Sequence, residues 1–447
     1  MLKNMPWVRY ETGLGIEFEQ CLMEGRDVEK YRPVVESVLN LGSDFIAEHK
    51  DIVISIGELL TSSPIRADYE FLEPNDLEEI LASSPSGGKH ERGEYPTGDA
   101  LLEKLRGAWI GRIAGCLLGK PVEGWRRNLM YPVLKATGNY PLTRYIRQCE
   151  FSDELVKQYG LNRGACFADN VHHASPPDDD TNYTVFGLKL VSTFGRDFTS
   201  DNVMESWLSW IPFMPVCTAE RAAYRNAACG MLPPETASYH NPYREWIGAQ
   251  IRGDFFGYIN PGNPVEAAKM AYRDACISQV KNGIYGEMFA AAMIAEAAVT
   301  DDRERIIEAG LSVIPVKSRM TRDVRKVIDL WKAGKTADEI MEVIHTDYNE
   351  HTENGWCYTN SNAMVVAMAI LCGDGDYSKS ICLAVQACFD TDCNGATVGS
   401  VIGMMVGEGG IAPEWTAPFE RKLMTTIEGY NLVDADELAE MTAKLVK

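Results

Sequence analysis

Apolar residues recur with helical spacing along most of the chain, whereas alternating, strand-like runs are scarce. The clearest helical patterns are the Ala-rich segments "GEMFAAAMIAEAAVT" from Gly286 and "NAMVVAMAILCG" from Asn362. Polar clusters separate such segments and are typical of loops between helices. The pattern therefore predicts an all-α protein whose main body follows Asp99.

The first part of the chain shows the same helical spacing but is more polar. "EPNDLEEILASS" predicts a short helix with Asn75 or Asp76 as its N-cap, and the stretch from Ser83 to Asp99 is rich in Gly, Pro, Ser and charge, which is typical of a linker. We expect a helical N-terminal extension and linker at residues 1–97 and an all-α domain at residues 98–447. We also expect a body without residues 1–83 to fold and bind metal, because the candidate chemistry lies later. The segment "YRPVVESVLNLGSDFIAEH" predicts one apolar helical face made of Val34, Val35, Val38, Leu41, Phe45 and Ile46.

Composition and charge narrow the class of partner. Of 447 residues, 45% are hydrophobic and 24% charged, and the net charge is −21. A surface this acidic disfavours nucleic acid and anionic membranes, although one small phosphate-bearing ligand is still compatible with it. The apolar run from Ala363 is too short to span a bilayer. The twelve cysteines contain no CxxC pair, so with no secretory signal peptide we expect reduced thiols in a cytoplasmic protein.

Two runs of glycine recur every four residues, in "GAWIGRIAGCLLG" from Gly107 and "GATVGSVIGMMVG" from Gly395. A glycine inside a helix costs about 1 kcal/mol relative to alanine, so four on one face need a compensating role. Such a ridge predicts very close approach by the backbone of a neighbouring helix. The charged Arg112 within the first run argues against a membrane helix.

Three acidic groups adjoin these ridges or a predicted helix start. Glu123 follows the first ridge, Asp178, Asp179 and Asp180 form "DDDT", and Asp390 and Asp392 form "DTD" before the second ridge. Adjacent carboxylates repel one another, so the cluster is either a solvated helix N-cap or a cation site. Oxygen ligands without His or Cys partners favour Mg²⁺, Mn²⁺ or Ca²⁺ over zinc.

At these positions the chain resembles the ADP-ribosylglycohydrolase family, which includes the dinitrogenase reductase-activating glycohydrolase and the ADP-ribosyl-acceptor hydrolases. The resemblance rests on "GRIAGCLLGKPVEG", "DDDT" and "DTDCNGATVGSVIG", in that order, and covers roughly residues 100 to 410. It implies an all-α, orthogonal multi-helix bundle with two divalent cations, Mg²⁺ or Mn²⁺. It also implies a small-molecule ADP-ribosyl or ribosyl substrate, free or attached to a protein.

Carried over by position, the resemblance implies four metal ligands and places Glu123 near the scissile bond. Asp178 stands where the family usually has Ser or Thr and is a fifth candidate ligand. Glu123, Asp179 and Asp180 are the candidate catalytic carboxylates, and Thr181 is expected to begin the following helix. The four ligands implied are Asp179, Asp180, Asp390 and Asp392.

Two departures from the family pattern concern the substrate. Cys393 replaces a Thr after the second Asp of "DTD", and Ser278 is followed by Gln279 where the family often has His. The candidate substrate contacts are weaker predictions. Arg252 is placed near a phosphate, with a packed loop of structural ion pairs as the alternative, and Asn362 is either a helix cap or a ribose contact. The candidate contacts are Gln250, Arg252, Asp254, Asn362 and Asn394.

Together these features predict metal-dependent hydrolysis of an N- or O-ribosyl bond, with Glu123 or a free Asp oxygen activating water. Two alternatives stay open. One is a hydrolase of a small ribosyl compound such as a nucleoside, and the other is a catalytically silent binding or structural protein on the same fold.

Overall fold

The computed structural model describes residues 5–90, 92–162, 164 and 166–446, and it is dominated by helices. Residues 1–4 and 91 of the expected N-terminal unit, and 163, 165 and 447 of the expected domain, lie outside the described residues. The N-terminal helices pack around a small apolar cluster that includes Phe18, Val35 and Val53. They are α1 (Leu14–Met23), α2 (Arg32–Asn40), α3 (Gly42–Glu48) and α4 (Lys50–Ser62), whereas α5 (Leu77–Ala82) contributes Ile80 and Leu81 to the core of the main body.

Local sequence explains where these helices begin and end. Asp76 is the N-cap of α5, because its side chain accepts hydrogen bonds from the backbone N–H groups of Glu78 and Glu79 at 2.9 and 3.2 Å. The single apolar face predicted from Val34 to Ile46 is wrong, since Val34 and Leu41 are exposed. Gly42 has a φ of +83°, which ends one helix and starts another in a new direction.

The main body is built from the helices after residue 97, and its longest apolar segments form its centre. Every residue of α15 is buried, as is α20 up to Leu371, which confirms the prediction made from the Ala-rich segments. No helix of the described residues is long and apolar enough to cross a bilayer. The helices are α6 (Gly98–Gly119), α7 (Arg127–Ala136), α8 (Asp153–Tyr159), α9 (Asp179–Phe194), α10 (Ser200–Trp210), α11 (Thr218–Ala228), α12 (Glu235–Ser238), α13 (Asp254–Tyr258), α14 (Pro264–Ala275), α15 (Asn282–Ala297), α16 (Arg303–Leu311), α17 (Arg319–Lys332), α18 (Ala337–Asp347), α19 (Glu353–Trp356), α20 (Thr359–Cys372), α21 (Tyr377–Gln386), α22 (Thr391–Val406) and α23 (Ala435–Ala443).

One short hairpin departs from the all-helical pattern. Strands β1 (Lys422–Met424) and β2 (Leu432–Asp434) pair antiparallel, with Leu423 opposite Val433. Ser175 extends this hairpin, because its N–H donates to Lys422 O at 2.8 Å and its carbonyl accepts from Met424 N at 2.9 Å. The hairpin therefore anchors the chain just before the acidic cluster that opens α9.

The two glycine ridges face each other, which confirms the predicted close helix contact. Helices α6 and α22 run antiparallel, so that Gly111 lies against Gly399 and Gly115 against Gly395. A Cβ added at Gly115 would overlap the carbonyl oxygen of Gly395, so no larger residue fits. The end of α6 is held to the start of α22 by a hydrogen bond from Thr391 Oγ1 to Gly119 O at 2.9 Å.

The N-terminal extension is joined to the main body by buried ion pairs. Arg244 contacts Glu17 at 2.6 Å and Glu24 at 2.7 Å, and Arg319 contacts Glu73 at 2.7 Å. All five side chains are almost completely buried. The division at residues 97 and 98 stays a prediction, and the two segments share this interior.

Candidate active site and metal centre

Carboxylates from three distant parts of the chain line one cavity of about 440 Å³. Glu123 follows the end of α6, Asp178 and Asp179 stand at the start of α9, and Asp390 and Asp392 at the start of α22. The antiparallel packing of α6 and α22 brings the first and last of these groups together, because the end of one helix meets the beginning of the other.

The acidic triplet forms a helix start and part of the cavity wall at once. Helix α9 begins at Asp179, two residues before the predicted Thr181, and Asp178 is its N-cap. The Asp178 side chain accepts a hydrogen bond from the backbone N–H of Asp180 at 3.0 Å. The alternatives of cap and cation site are thus compatible, since one oxygen of Asp178 caps the helix while the residue also borders the cavity.

A strained turn and an asparagine position the second acidic pair. Cys388 and Phe389 have φ values of 64° and 59°, an uncommon conformation for such residues. The side-chain oxygen of Asn362 accepts from Asp390 N at 3.1 Å and from Asn394 Nδ2 at 2.8 Å. Asn362 Nδ2 in turn donates to the backbone carbonyls of Trp356 and Tyr358, which precede its own helix α20. The structure thus places Asn362 behind the carboxylates as a support.

Several donor atoms lie close enough together to hold a metal ion. One group joins Glu123, Asp390 and Asp392, and a second joins Asp178 and Asp180 with the thiol of Cys116. A third joins Asp180, Asp392 and Cys393. Asp179 lines the same cavity outside these close groups. Oxygen donors dominate the three groups, which suits Mg²⁺ or Mn²⁺ better than zinc.

Unpartnered oxygens support a cation at this place. Asp180 Oδ2 and Asp392 Oδ1 are buried and have no hydrogen-bond partner among the described residues. A buried carboxylate oxygen without a partner is unfavourable unless a cation or proton neutralises it. The residues present therefore fit a divalent cation.

Two cationic side chains already offset part of this charge. Lys120 forms an ion pair with Asp178 in the cavity wall. Arg112 lies beneath the site, where its guanidinium donates to Asp180 O at 2.7 Å and contacts the Asp254 carboxylate at 2.8 Å. Two positive side chains cannot balance all the neighbouring carboxylates.

The electrostatics of the cluster follow from burial and like charge. Burial, reinforced by neighbouring carboxylates, raises the pKa values of Asp179, Asp180 and Asp392 well above the usual range. Glu123 is more open, yet partial desolvation and the charges of Asp390 and Asp178 raise its pKa to about 7. Burial also acts to raise the pKa of Asp178, but the Lys120 ammonium outweighs burial and lowers the pKa of that carboxyl below its usual value. Without a cation the cluster therefore retains protons that a divalent cation would displace.

A model of the ADP-ribosylglycohydrolase family matches residues 97–446. The chain belongs to this family. A solved structure described as an "ADP-ribosylglycohydrolase-related protein complex" is similar to 78% of this chain and 98% of its own, with a TM-score of 0.50 and 17% identity. That likeness shows the fold alone. Among curated proteins, none matches the chain.

Membership of the ADP-ribosylglycohydrolase family makes this chain a glycohydrolase-type enzyme with an all-α fold. The matched region starts at residue 97, so helices α1 to α5 lie outside the match. The three acidic groups used for the resemblance all lie within that region.

The predicted substrate contacts of this glycohydrolase lie mostly behind the cavity wall. Arg252 is buried in ion pairs with Glu220, at 2.7 Å, and with Asp274. Gln250 and Asp254 are buried too, and neither is among the residues that line the cavity. The alternative of a packed loop with structural ion pairs describes this arrangement. Asn394 is likewise buried behind the acidic pair, where its amide donates to Asn362.

Several cavity residues were not singled out from the sequence. Lys120 stands within the quoted "GKPVEG" motif, and its place one turn before Glu123 was the available signal. Glu220 lines the cavity and accepts hydrogen bonds from Arg252 and, at 2.8 Å, from Gln279, the residue found where the family often has His. Three tryptophans also line the cavity, and they had no sequence signal: Trp7, Trp246 and Trp356.

Proposed function

We propose that the protein is a metal-dependent hydrolase that cleaves an N- or O-ribosyl bond of an ADP-ribosyl substrate. The observation that supports this most is the convergence of carboxylates from three distant chain segments on one cavity. Membership of the ADP-ribosylglycohydrolase family supplies the reaction class. A catalytically silent scaffold would have no use for buried carboxylate oxygens that lack partners.

The proposed cofactors are two divalent cations, Mg²⁺ or Mn²⁺. The candidate ligands are the carboxylates of Asp178, Asp180, Asp390 and Asp392, with Asp179 or Glu123 completing the set. Cations bound there would orient vicinal ribose hydroxyls and a water molecule.

In this proposal the chain's own carboxylates carry the proton transfers. Glu123 is the most open of the close acidic groups, so it is the one that water reaches most easily. It accepts a proton from the attacking water while the bond between the anomeric carbon and the leaving nitrogen or oxygen breaks, and it then returns that proton to the leaving atom, so that the acceptor departs in its protonated form. Asp179, which lines the cavity beside it, is the second candidate base. The flanking carboxylates stabilise the positive charge that develops on the ribose ring.

A small ribosyl compound such as a nucleoside is the second candidate substrate. One observation favours it: Lys120 is the single basic side chain among the described cavity-lining residues, and it is paired with Asp178. Arg252, the predicted phosphate contact, is held by buried carboxylates. A diphosphate would therefore find little positive charge in the cavity itself.

The test combines metal binding with product release. Calorimetry on chelator-treated protein should detect about two Mg²⁺ or Mn²⁺ per chain, bound in preference to Zn²⁺. The loaded protein should then release ADP-ribose or ribose from at least one of ADP-ribosyl-arginine, ADP-ribosyl-serine, O-acetyl-ADP-ribose and plain nucleosides. Release from nucleosides alone would select the second candidate, and bound metal without any release would select the silent scaffold.

A matched pair of variants links the activity to the carboxylates. Asp392→Asn should lower turnover and metal affinity by at least about a hundredfold, because it removes a candidate ligand rather than a supporting residue. It should not destabilise the cation-free fold, since it removes one of several neighbouring negative charges. Asp376→Asn, which changes the N-cap of α21 outside the cavity lining, should leave both quantities unchanged. Near-normal turnover of folded Asp392→Asn would contradict the proposal.

A further inference from the structure

A residue far outside the family domain borders the cavity that holds the acidic cluster. Trp7 lines this cavity together with Glu123 and Asp392, although the match to the family starts only at residue 97. Its side chain is half-buried and packs against the core of the main body. The N-terminal extension therefore contributes part of the cavity wall.

The segment that carries Trp7 is fastened to helix α11 by two arginines. Arg221 Nη1 donates to Pro6 O at 3.3 Å, and Arg225 Nη1 donates to Val8 O at 2.7 Å. The backbone is thus held on both sides of the tryptophan. Helix α11 also carries Glu220 into the cavity wall, so the anchor of Trp7 belongs to the site itself.

The conformation of Trp7 is fixed at a cost. Its φ is 63°, in the left-handed region that bulky residues rarely occupy. Such a conformation persists where the surroundings over-determine it, and it clusters at ligand sites. The Arg221 guanidinium lies over the indole, 4.8 Å from the ring centroid, and covers one side of it. The indole is therefore held in one position, and part of its surface borders the cavity.

A second tryptophan in the cavity lining repeats this arrangement. The Arg126 guanidinium lies 4.6 Å from the ring centroid of Trp356, which is also half-buried. Trp246 adds a third indole to the lining, and its ring N–H is satisfied by Asn354 at 2.7 Å. The cavity thus combines carboxylates suited to a cation and a ribose diol with aromatic surfaces suited to a planar ring.

We infer that Trp7 is a specificity residue that stacks on the nucleobase of the substrate. The inference rests on the proposed function in one respect, namely that the ligand is a ribosyl compound. It holds for an ADP-ribosyl group and for a nucleoside alike, because both join a ribose to a planar base. Aromatic stacking changes affinity for a base by about tenfold or more and tolerates different bases.

The experiment compares ligands with and without a base on the Mg²⁺- or Mn²⁺-loaded full chain. The two pairs are ADP-ribose against ribose 5-phosphate, and adenosine against ribose, with affinities measured by calorimetry. Trp7→Leu keeps an apolar side chain but removes the aromatic face. It should weaken binding of the base-bearing ligands by about tenfold or more and leave binding of the others and of the metal unchanged. Trp7→Phe should restore most of the lost affinity.

Trp331→Leu is the matched control. Trp331 is also half-buried under an arginine, Arg303, but it is not among the residues that line the cavity. This variant should leave all four affinities unchanged and should lower thermal stability about as much as Trp7→Leu does.

Three outcomes would overturn the inference. If Trp7→Leu binds every ligand as tightly as the wild-type protein does, the tryptophan contacts no base and the inference is wrong. The proposed function would still stand in that case, because the wild-type protein binds the ligands. If it weakens ligands with and without a base equally, Trp7 only supports the cavity. If the wild-type protein binds neither metal nor any of the four ligands, the proposed function fails and the inference fails with it.

Discussion

His345 supports the turn that presents the second acidic pair. Its ring stacks on Phe389 with centroids 4.5 Å apart, and its Nε2 lies 2.9 Å from Ala387 O. Since a carbonyl can only accept, Nε2 carries the proton and donates this bond. Phe389 immediately precedes Asp390, so the buried neutral imidazole holds the backbone from which the candidate ligands project.

This histidine should make stability depend on pH. Burial, with Arg127 nearby, lowers the pKa of His345 to about 4, whereas the ring in an unfolded chain protonates near pH 6.5. Between those values the unfolded chain binds more protons at this ring than the native protein does, so the contribution of His345 to the free energy of unfolding should fall as the pH drops from 6.5 to 4. The loss should reach about 3 kcal/mol at most and be absent above pH 7.

Urea unfolding across this pH range tests the effect. His345→Gln retains an N–H donor for Ala387 O and has no titrating ring, so its stability should fall less steeply with acidity. The exposed His172 provides the control, and His172→Gln should follow the wild-type curve. Identical pH profiles for wild type and His345→Gln would show that the imidazole does not titrate between the two states.

The candidate ligands could be found from the sequence because clustered carboxylates are costly without a cation. The residues that hold these ligands in place could not be found in the same way, because such a role depends on contacts that form only in the folded chain. Asn362 was weighed as a cap or a ribose contact, yet its oxygen accepts from Asp390 and Asn394 across about 30 residues of chain. Arg252 has the chemistry of a phosphate ligand, but its burial among carboxylates appears only in three dimensions.

At the scale of elements, the pair α6 and α22 organises the site. Spacing of four along both helices was visible in the sequence and predicted close packing correctly. The sequence did not show that the two ridges pack on each other, antiparallel and in register, because each ridge could have packed on any other helix. This register places Glu123 beside Asp390 and Asp392.

Gly115→Ala should therefore destabilise the protein, although alanine favours a helix. The new Cβ would meet the backbone of Gly395, which cannot move aside as a flexible side chain can. We expect a loss of about 3 kcal/mol or more, against a propensity gain of about 1 kcal/mol, together with weaker metal binding. Thermal unfolding and calorimetry measure the two effects.

Gly15→Ala in α1 is the matched control. There the added Cβ meets only the end of the Leu39 side chain, at 3.2 Å. This change should be neutral or slightly stabilising. A Gly115→Ala variant as stable as Gly15→Ala would show that the two helices can separate without cost.

The N-terminal extension contributes side chains to the interior of the molecule. The motifs alone suggested that residues 1–83 could be removed, because all of them follow Gly107. The structure leads to a different prediction, because three glutamates of the extension each pair with a buried arginine of the main body. They are Glu17, Glu24 and Glu73. Sequence could not reveal these pairs, because isolated glutamates on polar helices usually face solvent.

Removal of residues 1–83 should now abolish stable folding. Ile80 and Leu81 are buried in the main apolar core, so the truncation would leave a gap in that core, and Arg244 would lose both of its carboxylates. Soluble yield and melting temperature are the measurements. A truncated chain that melts at the full-length temperature would contradict this account.

The packing of α6 on α22 also determines when the cavity can form during synthesis of the chain. Gly107 and its partner Gly403 are separated by about 300 residues, which a ribosome adds in about 15 to 60 s. Throughout that interval α6 has no partner for its bare glycine face, and the acidic end that it carries cannot join the rest of the cluster. The cavity can therefore be assembled only after α22 has been synthesised, so a nascent chain must be protected from premature association until that helix emerges.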